Sequence, residues 1–444
     1  MLNFSKLEFK KIFKGRYSSD FLAQLIVYGL QIVSGVFVGA YVARYLGPSQ
    51  LGVMSLILTI GVIVGPLLDL GTRAILIKKF SQEKNNLNQI FWTIFWVKLV
   101  LSCCITTALF VTIQSGLIGG LAGEAGLLIA FGLGIILLYP FTQFQCVIIA
   151  AVKNKALMIG QIICLCFTAL FRAGCVYYEL SLEWFVGVNF LVALLSHVNV
   201  LLTSAYYKLI PRLAGFKFEA LKILLRESWP LILSGFAVIL YMRIDIVMID
   251  FFLSEKDIGH YWVANRLLEI LYFFPLAIAK TLSSKIYQKL NASNIEDQKT
   301  VMCSVFGLVG SSSLILCVLA GLGGVFCIPL LYGVDYSPSV SVFCLSVLAL
   351  PAVSLGVMRN FYLIHQEQSK LSMYATFLGL FTNVGLNIIL IPTLGILGAA
   401  LATVFSQYVS CVISTRLLME TWLFKAQISS IFRNPKLSFQ RLSQ

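Results

Sequence analysis

Three consecutive pieces decide how this chain folds: WPLILSGFAVILYMRIDIVMIDFF (residues 229–252), the polar hinge LSEKD (253–257) and IGHYWVANRLLEILYFFPLAIAKTL (258–282). Each apolar run is long enough to cross a bilayer as a helix, because a hydrocarbon core of about 30 Å takes roughly 20 residues. Yet Arg243, Asp245, Arg266 and Glu269 lie well inside these runs. A charge at the bilayer centre costs about 2.5–3.5 kcal/mol on insertion scales. Four of them in one hairpin are expected to face a polar space inside a helical bundle, read here as a substrate route across the membrane.

The totals agree. Of 444 residues, 59% are hydrophobic and only 12% charged, about half the share of a soluble domain. A net charge of +14 would suggest nucleic acid in a soluble protein. In a membrane protein its placement along the chain matters more, and no nucleic acid is expected. The eleven cysteines form no CxxC pair and there are three histidines, so neither a metal site nor a cofactor is expected.

Residues 1–18 are basic and amphipathic, with Lys6, Lys10, Lys11, Lys14 and Arg16. Apolar runs follow at 21–45, 51–77, 87–113, 126–149, 157–178 and 184–206, then at 229–252, 258–282, 301–328, 339–364, 371–391 and 395–419. The first is too long for a signal-peptide core and lacks a small-residue cleavage site. The fold class is therefore all-α integral membrane, with twelve transmembrane helices in two six-helix lobes around a central cavity. The division is an N-terminal lobe (1–206), a polar amphipathic linker (207–228), a C-terminal lobe (229–424) and a tail (425–444).

With the N-terminus in the cytoplasm, segments on that side hold 25 Lys and Arg, among them Arg359, while external segments hold two, Arg44 and Lys256. This asymmetry places both termini inside, with most of the charge toward the anionic inner leaflet. The longest external loop, 114–125, is too short for a folded domain. A shift of 207 residues lays Leu46, Leu51 and Gly52 on Leu253, Ile258 and Gly259, and Arg73 and Lys78 on Lys280 and Lys285. Two like-oriented halves, a parallel repeat, follow.

Candidate site residues are the polar groups inside spans. Asp69 and Arg73, at i,i+4 beside Pro66, form either a self-neutralising pair or a gate residue beside a kinked helix. Arg243 and Asp245 differ by about 200° around their helix, so each needs a partner on another helix, a substrate group or water. Arg266 and Glu269, at i,i+3, can pair locally. Arg266 nevertheless lies at a depth like that of Arg243 in the adjacent antiparallel helix, and an anion between the two relieves their repulsion. Lys98 and Arg172 are single bases within spans, and Arg416 snorkels near the inner surface. Gln24, Tyr28, Gln31 and Gly35 share one helical face, suited either to helix packing or to contacting sugar. Asn383 and Asn387 make a shorter pair read as packing. There is no Walker A run and no nucleophile with a plausible base, so an enzyme is not expected.

Several motifs carry a resemblance. Arg44-Tyr45-Leu46-Gly47-Pro48 with Leu51-Gly52, then Pro66 and Asp69-Leu70-Gly71, resembles the second-helix signature of Wzx-type polysaccharide (O-antigen) flippases. Glu227-Ser228-Trp229-Pro230-Leu231 and Tyr241-Met242-Arg243-Ile244-Asp245 resemble that family's seventh helix. Tyr261, Ala264, Arg266-Leu267, Glu269 and Phe274-Pro275 resemble its eighth. The family lies in the multidrug/oligosaccharidyl-lipid/polysaccharide exporter superfamily. The resemblance implies alternating access coupled to an ion gradient, and a location in the bacterial cytoplasmic (inner) membrane. It implies undecaprenyl-pyrophosphate-linked oligosaccharide as substrate, with a polysaccharide polymerase and a chain-length regulator as partners beside the lipid bilayer. Arg243, Arg266, Arg73, Lys98, Arg172, Gln24, Tyr28 and Gln31 are the candidate substrate contacts, and Asp69, Asp245 and Glu269 the candidate pairing or coupling groups. A drug exporter of the same superfamily calls for acidic rather than basic cavity residues. A lipid II flippase carries two additional helices, and a membrane glycosyltransferase or polymerase needs a larger external loop.

The topology is checked by cysteine labelling in cells: cysteines placed at Ser254 and Asp335 are expected to react from outside, and those at Asn86 and Asn294 only from inside. Any exchange between the two pairs overturns the twelve-span layout.

Overall fold

A computed structural model describes residues 16–82, 87–115, 126–151, 153–279, 286, 290 and 295–430. Most of the basic N-terminal segment and the tail, the loop at 116–125, Asn86, Asn294, and the repeat partners Lys280 and Lys285 lie outside the described residues. Every regular element among the described residues is helical.

Eleven of these helices are long and apolar enough to cross a membrane. The first, Gly29–Asp69, has 41 residues and is twice the needed length. Gly47 divides it: at φ 70°, ψ 172° its backbone leaves the helix, and Pro48 then opens the next segment. Counted on either side of Gly47, the apolar helices number twelve among the described residues, as the sequence implies.

Three expectations are corrected. The second span does not run unbroken over 51–77. It ends at Asp69, Leu70 and Gly71 turn with φ 53° and 59°, and a separate helix covers Thr72–Ser81. Asp69 and Arg73 therefore do not share a helical face. The linker is not amphipathic throughout: residues 209–217 are irregular, and Phe218–Phe252 is one 35-residue helix that absorbs the rest. The irregular piece is tied down by its backbone, as the Trp92 indole donates to the Pro211 carbonyl (3.2 Å) and the Lys217 amide to the Thr93 hydroxyl (3.1 Å). Finally, Arg359 is no loop residue. It sits inside the Leu350–His365 helix, 2% exposed.

The chain divides into two compact units, Met1–Leu46 with Ile60–Phe236, and Gly47–Thr59 with Ala237–Gln444. The second unit thus takes in the first turns of the second span. These turns pack on the start of the Glu255–Leu271 helix, which opens on a capping box between Ser254 and Asp257. The approach is close enough to exclude any side chain. A Cβ on Gly52 would fall 1.8 Å from the Glu255 carbonyl oxygen, and one on Gly259 would fall 1.9 Å from that of Pro48. The shift of 207 maps Gly52 onto Gly259 and Pro48 onto Glu255, so the two contacts are one contact seen twice.

Because backbone stands where the side chain would go, Gly52→Ala and Gly259→Ala are each expected to cost about 1–3 kcal/mol through overpacking. Gly61, with nothing within 4 Å of its Cβ position, is the control. Thermal melting of the purified variants checks this: equal loss for Gly52→Ala and Gly61→Ala would overturn the contact.

Candidate functional site

In the second unit the Phe218–Phe252 helix delivers Arg243 and Asp245 to different surroundings, as two residues of helical rotation require. Arg243 reaches the following helix, where its Nη2 lies 2.8 Å from Glu269 Oε1. Glu269 gives its other oxygen, Oε2, to Arg266 Nη1 at 3.3 Å. One carboxylate thus stands between two guanidinium groups, and the anion that the sequence calls for between these arginines is Glu269 itself. The side chains keep a share of their surface open: 21% for Arg243, 41% for Arg266 and 17% for Glu269. The trio carries a net charge of +1.

Asp245 lies on the far side of the same helix and is buried. Three neutral groups donate to it: Tyr261 Oη and Thr403 Oγ1, each 2.6 Å from Oδ2, and Asn387 Nδ2, 2.7 Å from Oδ1. Asn387 Nδ2 also donates to Asn383 Oδ1 (3.0 Å), while Asn387 Oδ1 is buried without a partner. No Lys or Arg forms an ion pair with Asp245 among the described residues. Charge-assisted hydrogen bonds from neutral donors stand in for a counter-ion.

A cavity of about 250 Å³ joins the two groups, with Asp245, Glu269, Tyr272, Arg359, Asn360 and Gln407 in its wall. Arg359 is held from behind. Its Nη1 donates to the Ser410 carbonyl and the Ser414 hydroxyl, both at 2.9 Å, and its Nη2 to Asn360 Oδ1 at 3.2 Å. The Ser410 carbonyl belongs to Val409–Ile413, a π-helical turn that interrupts the last span. Such turns leave carbonyls outside the regular ladder, where a guanidinium can take them up. Arg359 Nε has no partner.

The first unit holds a separate cluster. Lys98 is 1% exposed and its ammonium sits 3.2 Å from Asp69 Oδ1. Asp69 therefore pairs with Lys98 across helices, and the local Asp69–Arg73 pair is not formed. Arg73 donates instead to Gln145 Oε1 at 3.0 Å. Arg172 donates to Asn189 Oδ1 at 2.6 Å. Gln31 is exposed, while the side chains of Gln24 and Tyr28 lie outside the described residues.

The structure thus groups Arg243, Arg266, Glu269 and Asp245 in one unit, and Lys98, Asp69 and Arg73 in the other. Arg359 and Thr403 escape the sequence reading as site residues, and Tyr261 enters it only as part of the eighth-helix motif. Arg359 had a signal, a base within the apolar run 339–364, whereas a single Thr in a membrane helix has none. Asn383 and Asn387, read as a packing pair, do pack, and Asn387 also serves Asp245.

Comparisons with known proteins match this architecture. The family model described as "Polysaccharide biosynthesis protein" matches residues 17–283. The probable low-salt glycan biosynthesis flippase Agl15 of Haloferax volcanii is 25% identical over 433 residues, covering 93% of this chain and 84% of that protein. Among solved structures, the lipid II flippase MurJ in an inward closed conformation aligns at a TM-score of 0.67 and 13% identity, covering 96% of this chain and 98% of that one. An inward-facing multidrug resistance MATE family transporter of the MOP superfamily aligns at a TM-score of 0.64 and 16% identity, covering 93% and 94%. With the family model matching well over half its length, the chain belongs to the polysaccharide biosynthesis protein family.

Proposed function

We propose that this protein flips undecaprenyl-pyrophosphate-linked oligosaccharide repeat units across the bacterial cytoplasmic membrane for surface polysaccharide assembly. Alternating access, driven by an ion gradient, moves the head group while the lipid tail stays in the bilayer. The flipped units pass to a polysaccharide polymerase whose products a chain-length regulator sizes. The observation that carries the reading is the partly open pair of guanidinium groups, Arg243 and Arg266, around a single carboxylate. A pyrophosphate crossing a low-dielectric region needs fixed positive charge, and guanidinium supplies it with two donors toward two oxygens. Within the first unit, the exposed guanidinium of Arg73 is a further candidate contact for such a head group.

Asp245 is the candidate coupling group. Its carboxylate, Asn387 Oδ1 and the Thr403 hydroxyl gather oxygen atoms in a buried place, and one of them lacks a donor. A proton on Asp245, or an alkali cation among these oxygens, would satisfy that orphan acceptor. The shared cavity then connects the state of Asp245 with that of Glu269.

Export in a complementation assay tests both parts. Arg243→Ala is expected to lower export about tenfold or more at near-normal protein level, with Arg243→Lys recovering part of it. Asp245→Asn is expected to abolish dependence on the ion gradient while leaving insertion intact. Normal export by Arg243→Ala would remove the head-group role from this position.

A further inference from the structure

We infer that Glu269 is a built-in stand-in for the substrate's diphosphate, holding Arg243 and Arg266 ready until a stronger anion displaces it. This rests on the reading of the two arginines as head-group ligands. The geometry is that of a bridging anion: one oxygen 2.8 Å from one guanidinium, the other 3.3 Å from the second. Two oxygens of a phosphate present the same fork. Without an anion between them the two cations repel, more strongly in a bundle than in water. Glu269 removes that repulsion while the carrier is empty. A diphosphate brings more charge than a carboxylate and more acceptor oxygens, so it displaces Glu269.

The displaced side chain has somewhere to go. Glu269 lines the cavity of about 250 Å³, whose wall also carries Arg359 with its Nε unpartnered. A carboxylate released by the arginines still faces this cavity, where the Arg359 guanidinium can offset its charge. Glu269 is thus a specificity-determining residue. It sets a threshold that a ligand must pass, since a weakly charged anion does not outcompete a carboxylate already in place. The same exchange tells the cavity around Asp245 that the head group has arrived.

Binding of inorganic pyrophosphate and inorganic phosphate to the full chain in lipid nanodiscs, measured by calorimetry with melting recorded alongside, tests this. Glu269→Gln keeps the side-chain shape and removes the competing charge. It is expected to bind pyrophosphate about tenfold more tightly than the unaltered protein and to lose discrimination against phosphate. Glu269→Asp, too short to reach both arginines, is expected to move the same way by less. If both variants bind pyrophosphate no better, or melt lower and bind more weakly, Glu269 is a structural tie and the inference is overturned. Arg243→Ala separates this from the underlying reading: pyrophosphate binding that survives that change defeats the head-group role itself, whatever Glu269 does.

Discussion

A carboxylate among apolar helices must be satisfied, and Asp245 is the place where that requirement is met. Its three donors come from three other helices, Glu255–Leu271, Ser369–Leu394 and Ile396–Tyr408. Burying an ion without such partners costs several kcal/mol, and leaving even one donor unpaired costs about 1–3 kcal/mol. The four helices are therefore tied at one point by need as well as by packing. Because the donors are neutral, the tie leaves the charge of Asp245 uncancelled. A fixed ion pair would have neutralised it.

The first unit solves the same problem differently. Lys98 is more deeply buried than Asp245, yet it meets an opposite charge directly at Asp69. Removal of either partner would strand the other, so this pair is better suited to holding helices than to exchanging ions. The turn at Leu70 and Gly71 makes it possible. By ending the helix at Asp69, it sends Arg73 to Gln145 and leaves the carboxylate to Lys98.

These contrasts explain what sequence alone could convey. The spans, their number and the hairpin of charged residues follow from apolar length and from the cost of charge in lipid, both of which are local. That Arg243 and Asp245 need separate partners follows from helical rotation. Which partners they find does not, because Thr403 and Asn387 stand 158 and 142 residues away and carry no charge to betray them. The break after Asp69 was hidden because Leu70 rarely adopts a positive φ, and only the Gly beside it hinted at a turn. Arg359 was misplaced because counting bases by side of the membrane treats one near a span's end as a loop residue.

The paired glycines have a chemical consequence of their own. A hydrogen occupies the place where each Cβ would stand, and it points at a carbonyl oxygen. Each glycine therefore places a Cα–H against a carbonyl of its partner's turn, the repeat-equivalent of its own, a weak C–H···O contact of the kind worth about 0.5–1 kcal/mol. The two carbonyls lie at the openings of helical segments. No side chain stands between the two turns, so backbone meets backbone at two points that are equivalent under the shift of 207 residues.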